Sequence, residues 1–236
     1  MNAIAEILAE RGVSRLCHFT PSRNLPHILS DGYVRATKDL VEDVRAVYTR
    51  TDLSRLDGHQ EKICCSIEFT NGYYFTIART KGEAVLFPDW VVLLIDPIVM
   101  SRDGTLFCTG NAARGYGSSA NPGADGLAAL YQPSVVGSGG TTFNRMAAHL
   151  PCCPTDLQAE VLVPGAISLD DVLAIAVKNV DQARTEVARL RQLSQPIDSV
   201  RWVVAPMLFE RQVLASAIQT GRRPTETAWT PEPARP

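Results

Sequence analysis

The chain of 236 residues predicts an α+β fold. Three observations carry that reading. Short strand-like runs recur at irregular intervals, the most apolar being Trp90-Val91-Val92-Leu93-Leu94-Ile95. Helical patterns lie between them and after them. The two do not alternate regularly enough for a βαβ array, so a mixed sheet with flanking helices fits better than a doubly wound one.

The elements follow in order. Ile4, Ile7 and Leu8 recur at helical spacing within residues 2–11, and Gly12 ends that helix. Ser14–Phe19 reads as a short strand. Pro21 or Ser22 opens a helix through Leu29, with Leu25, Ile28 and Leu29 on one face and Gly32 as its stop. Residues 36–60 are charged and weakly periodic, a loop with about one helical turn. Ile63–Phe69 is a strand closed by the turn signal Asn71-Gly72, after which Tyr73–Ile77 either continues as strand or begins a helix. Trp90–Ile95 is a buried strand ended by Asp96-Pro97. Gly126–Tyr131 forms a short helical patch. Ala159–Val163 is a strand closed by Pro164-Gly165. Ser168-Leu169-Asp170-Asp171 caps a short helix over Val172–Val177. Asp181–Leu193 is a polar helix, Val200–Ala205 a final strand and Arg211–Thr220 a last helix. From Arg222 the chain is rich in Pro, Thr and Glu and reads as a disordered tail. The organisation expected is one domain over 1–221 and a tail over 222–236.

Hydrophobic residues make up 45% of the chain, enough for a sizeable core. A net charge of −2 gives no general basic footprint for nucleic acid, although a local groove can exist within a neutral total. Residues 115–150 carry only Asp125 and Arg145 as charged groups and read as a long mobile loop. The six cysteines include the adjacent pairs Cys64-Cys65 and Cys152-Cys153 but no Cys-x-x-Cys, so reduced thiols are expected and no metal. Residues 1–10 contain Glu6 and Glu10 and no apolar signal core. No run reaches the ~20 apolar residues of a membrane span. A cytoplasmic protein without a membrane partner is the expectation.

Candidate chemistry gathers in two segments. The first is His18-Phe19-Thr20 followed by Asn24, where a strand end meets a helix. The His18 ring and the Thr20 hydroxyl can hold ribose hydroxyls, with Asn24 on the first helical turn beside them. The second is Gln158-Ala159-Glu160-Val161-Leu162-Val163. Alternation puts Gln158 and Glu160 on one face. A strand glutamate ordinarily sits at a solvated edge. Pointed into a cleft, it can instead stabilise an oxocarbenium-like sugar cation or serve as a base. Arg50 and Arg55 can hold phosphate or the edge of a base. Tyr73, Tyr74 and Phe75 are the densest aromatic group; they can stack on a nicotinamide or a base, with at least one of them in the core.

Taken together, these segments resemble the DarT family of NAD-dependent DNA ADP-ribosyltransferase toxins. The likeness lies in His18-Phe19-Thr20, Asn24-Leu25, Ile28-Leu29 and Gly32, then in Pro154-Thr155-Asp156 and Gln158–Val163, and covers roughly residues 14 to 210. It implies an ADP-ribosyltransferase-like split mixed sheet that grips NAD as co-substrate. It implies transfer of ADP-ribose to a base of single-stranded DNA with release of nicotinamide. Glu160 is then the catalytic glutamate. His18, Phe19, Thr20, Asn24 and Tyr74 face NAD. The arginine at the reaction centre is Arg55, with Arg50 close enough to compete. Gln158, Arg50 and Tyr73 face the acceptor, and residues 115–157 form the loop that receives it. The resemblance also implies a partner antitoxin that removes ADP-ribose, of macrodomain or similar type. Ser66–Phe75 differs from thymine-modifying members and is closer to the guanine-modifying branch, which leaves the base as guanine or thymine.

Two other readings stand beside this one. An RNA- or protein-directed transferase is suggested by Gln158-x-Glu160, which resembles the arrangement that protein-directed relatives use to orient an acceptor; Arg114 and Arg145 would then be dispensable. A non-catalytic member would hold NAD or single-stranded DNA without turnover, although a carboxylate in a polyanion groove is costly if it does no chemistry.

Overall fold

The computed structural model describes residues 2–40, 56–80, 88–137, 140–197 and 200–233. Arg50 and Arg55 lie outside the described residues.

Helix α1 (Ala3–Arg11) is capped by Asn2, whose side chain accepts from the Ile4 amide, and stops at Gly12 in a left-handed conformation. Strand β1 (Leu16–Pro21) leads through a 3-10 turn (Ser22–Asn24) into α2 (Leu25–Asp31), which stops at left-handed Gly32. Short β2 (Tyr33–Val34) follows, then β3 (Lys62–Ile67) and α3 (Gly72–Ala78). The residues after Asn71-Gly72 thus form a helix. Strand β4 (Trp90–Ile95) is buried at every position, as its unbroken apolar sequence requires.

Residues 115–150 are not a featureless loop. They carry β6 (Ala120–Pro122), preceded by β5 (Leu106–Cys108), then α4 (Gly123–Ala129), β7 (Ser134–Val136) and β8 (Thr142–Asn144). Leu127, Leu130 and Tyr131 within this segment are core residues, while most of its described residues stay exposed or half-buried.

Strands β9 (Glu160–Pro164) and β10 (Ile167–Ser168) come next. Val172–Val177 is strand β11, not a helix. The cap signal at Ser168 is real, but it starts only the 3-10 turn Leu169–Asp171. The run Val-Leu-Ala-Ile-Ala-Val then enters the sheet, where β-branched side chains pack well. Helix α5 (Val180–Gln192), β12 (Trp202–Val204) and α6 (Arg211–Gln219) complete the predicted elements.

The expected tail also needs correction. Thr227–Trp229 is strand β13, paired antiparallel with β12. Its Pro, Thr and Glu content suggested disorder, but backbone pairing and two ion pairs compensate for the weak apolar content.

Among the described residues, nine strands form one mixed sheet in the order β13-β12-β11-β4-β1-β3-β9-β5-β6. The β11/β12 pair is parallel and the other neighbours are antiparallel. The join between β1 and β3 positions the site. β1 pairs with β4 along its whole length, from Leu16 to Pro21. It pairs with β3 only at Leu16↔Ile67 and Cys17↔Ser66. The remainder of β3, Lys62–Cys65, turns its ladder to β9. The sheet therefore splits beyond Cys17 and opens a cleft.

Candidate active site

The cleft in the split sheet is open to solvent. His18 and Phe19 form one wall, and Lys62–Ser66 form the other. Across the gap, His18 Nδ1 lies 2.9 Å from the Cys64 carbonyl oxygen. Because a carbonyl only accepts, Nδ1 carries the proton, and this fixes the tautomer. The side chain thus restores one cross-link where the backbone ladder has ended.

Glu160, the first residue of β9, also lines the cleft and is only 5% exposed. Its Oε1 accepts from Asn71 Nδ2 at 3.0 Å and Asn111 Nδ2 at 3.2 Å, and its Oε2 accepts from the Ala112 amide at 2.7 Å. Burial pushes the carboxyl up to about 7, with nearby Asp57 adding to the rise; the hydrogen bonds from Ala112 and Asn71 oppose it. A carboxyl poised there can gain or lose a proton at neutral pH.

Asn71 is fixed by its own surroundings. Its amide donates to Ser66 Oγ at 3.1 Å, and its Oδ1 caps α3 by accepting from the Tyr74 amide at 3.1 Å. Asn111 is likewise held, its Oδ1 accepting from the Ala113 amide at 3.0 Å. Both asparagines were missed as site residues. Asn71 carried a legible signal, since an Asn ahead of a helical run is an N-cap. Asn111, between strands too short to read, carried none.

The cleft brings together His18, Phe19, Tyr74 and Glu160 from the expected set. Phe19 stacks on Phe75 at 4.5 Å between ring centroids, and Phe75 is core. Thr20 and Asn24 are not in the lining. Both are buried, and Asn24 Nδ2 donates to Thr20 Oγ1 at 2.9 Å, so the pair fastens β1 to the turn before α2. Gln158 is not on the strand at all: it precedes β9, and alternation does not apply to it. Its amide donates to Asp156 Oδ1 at 2.9 Å. Tyr73 lies away from the lining under the Arg211 guanidinium, 4.2 Å from its ring centroid. Arg145 donates to the carbonyls of Cys153 and Leu150, each at 2.8 Å, a structural role for a residue first considered for nucleic acid.

Among the described residues, Arg35 and Lys62 bring positive charge to the cleft lining. Arg35 pairs with Asp31 at 2.6 Å, and Lys62 Nζ donates to the Gly104 carbonyl at 2.7 Å. Among the described residues, no group of three His, Cys, Asp or Glu side chains could hold a metal ion, and no helix is long and apolar enough to cross a membrane.

An open cleft with Phe19 and Tyr74 in its lining and a buried carboxyl suits a dinucleotide. The family model for DarT, described as ssDNA thymidine ADP-ribosyltransferase, matches residues 17–206. The chain belongs to the DarT family. Solved DarT structures share its fold. DarT of Thermus sp. 2.9 in complex with NAD+ matches with a TM-score of 0.55 at 17% identity, over 83% of this chain and 97% of that chain. The same Thermus protein with ADP-ribosylated ssDNA gives 0.54 at 13% identity, over 84% and 97%. Its complex with carba-NAD+ gives 0.52 at 15% identity, over 83% and 97%. No curated protein matches the sequence. The split mixed sheet expected from the resemblance is thus the DarT architecture.

Proposed function

We propose that the chain transfers ADP-ribose from NAD to a base of single-stranded DNA, with release of nicotinamide, and that Glu160 is the carboxylate at the reacting centre. The observation that carries this is the setting of Glu160: buried on the cleft floor and held by Asn71, Asn111 and the Ala112 amide. Ionised, it faces the sugar carbon from which nicotinamide departs and stabilises the positive charge that develops there. The same carboxylate accepts the proton of the incoming base. His18, fixed by the Cys64 carbonyl, orients the ribose, and Phe19 and Tyr74 provide apolar surface for the rings of NAD. Arg35 and Lys62 offset the charge of the pyrophosphate. No step needs a metal ion.

The family description makes thymidine the first base to test, ahead of the guanine suggested by Ser66–Phe75. We assign the chain to the cytoplasm, where its DNA is found, as a toxin paired with an antitoxin that removes ADP-ribose. Arg50 or Arg55 remains our proposal for the arginine of the reaction centre.

The test is transfer from NAD to oligonucleotides each rich in one base, read by intact mass. One ADP-ribose on the thymidine-rich strand alone is the expected result. Addition to the guanine-rich strand alone moves the target base. No adduct on any DNA, with NAD bound, moves the acceptor to RNA or protein, or makes the chain a binding module.

A further inference from the structure

The three residues between β3 and Asn71 are held by the far end of the chain. Glu68 is fully buried and has φ +63°, a left-handed conformation that is strained for a residue with a Cβ. Such strain persists only where the surroundings fix it, and here they do. The Glu68 carboxylate accepts from the Ser14 amide at 2.7 Å and from Ser14 Oγ at 2.8 Å. It also forms an ion pair with Arg223. Its backbone carbonyl accepts from Arg15 Nε at 2.8 Å, and Arg15 in turn pairs with Glu226. The ring of Phe69 has the Arg15 guanidinium 5.3 Å from its centroid and that of Arg223 at 5.8 Å. The segment carrying Arg223 and Glu226 is itself anchored by β13.

We propose that Glu68, held by Arg223 from the C-terminal segment, is a positioning residue: it fixes the turn that presents Asn71 and, through Asn71, orients the Glu160 carboxylate. This rests on the reading of Glu160 as the reacting carboxylate. The path is continuous. Arg223 holds Glu68, Glu68 fixes the backbone of residues 68–71, Ser66 and the Tyr74 amide lock Asn71, and Asn71 Nδ2 reaches Glu160. The C-terminal segment is then part of the catalytic scaffold, although none of its described residues lines the cleft.

The test is a double-mutant cycle between Arg223→Gln and Asn71→Ala, with Glu68→Gln as a second variant. Arg223 is 54% exposed in its side chain, so Arg223→Gln opens no cavity, and Ser14 still donates twice to the Glu68 carboxylate. The direct readout is the titration of the Glu160 carboxyl followed by 13C NMR, which does not depend on turnover. The titratable groups facing Glu160 are Asp57, Cys64, Cys65 and Cys108, and none is altered in these variants. Both Arg223→Gln and Asn71→Ala should move the Glu160 midpoint upward, by about 0.5 pH unit or more, because each weakens a hydrogen bond to the ionised form. In the Asn71→Ala background, Arg223→Gln should add nothing. In a transfer assay, Arg223→Gln should lower kcat about tenfold with KM for NAD unchanged. A lower melting temperature with an unmoved Glu160 midpoint overturns the proposal, as does full additivity with Asn71→Ala. If the wild-type chain transfers nothing while the midpoint moves as stated, the functional reading fails and the positioning stands.

Discussion

Asn71 Nδ2 stands 3.0 Å from Glu160 Oε1, while the oxygen of the same amide caps helix α3. One side chain therefore joins the start of a helix to the floor of the cleft. Asn71→Ala removes a hydrogen bond to a buried acid, worth about 1.5–3 kcal/mol when the acid is ionised. It should lower kcat by roughly 10- to 100-fold. The acid limb of the pH profile should move upward from about 7, since the ionised form loses a donor. A profile unchanged in position would separate Asn71 from the chemistry and leave it as a cap alone.

Glu160 also makes stability depend on pH in a defined direction. Its folded pKa, about 7, lies above the ordinary carboxyl value of 4.5. The folded state thus binds the proton more tightly, and stability from this group falls as pH rises. Measured as the difference between wild type and Glu160→Gln, the melting temperature should decline between about pH 4.5 and 7 and level off above. A difference that is flat or rises across that window contradicts the burial of an ionising carboxyl.

Thr20 separates two roles that a sequence motif merges. Its hydroxyl accepts from Asn24 in a buried pair that is not part of the cleft lining. Thr20→Val should lower stability by about 1–3 kcal/mol and leave NAD affinity within roughly twofold, as loss of a buried hydrogen-bond acceptor does. Calorimetric titration with NAD checks this. A tenfold loss of affinity at unchanged stability would place Thr20 against the dinucleotide.

His18 spans the split in the sheet through the Cys64 carbonyl. His18→Ala should weaken NAD binding about tenfold, near the 1.4 kcal/mol of one modest hydrogen bond. A lowered melting temperature with full NAD affinity would make the residue a structural bridge only.

The parts of this molecule that were legible in sequence are those written in local pattern. Trp90–Ile95 is apolar at every position because both of its faces are covered. Glu160 stood out as a charge at the head of an apolar run. Gly12 and Gly32 marked helix ends, and both take the left-handed backbone there. Other parts depend on chain segments far apart. Ser168 signalled a cap truthfully, yet Val172–Val177 were claimed by the sheet. Arg223 and Glu226 looked like tail residues because their partners, Glu68 and Arg15, lie more than 150 residues away. Asn111 reaches Glu160 only because β5 and β9 pair, and a three-residue strand leaves no periodicity to detect.

The central claim is that Glu160 acts on the reaction itself, beyond any effect on stability or NAD binding. The most direct test is Glu160→Gln, assayed by intact mass for transfer from NAD to a thymidine-rich single strand, with NAD affinity measured on the same preparation. The account predicts a fall in the transfer rate of at least ~10³-fold, as expected for loss of a principal electrostatic stabiliser, with NAD affinity largely kept. Transfer at near wild-type rate by Glu160→Gln would contradict it.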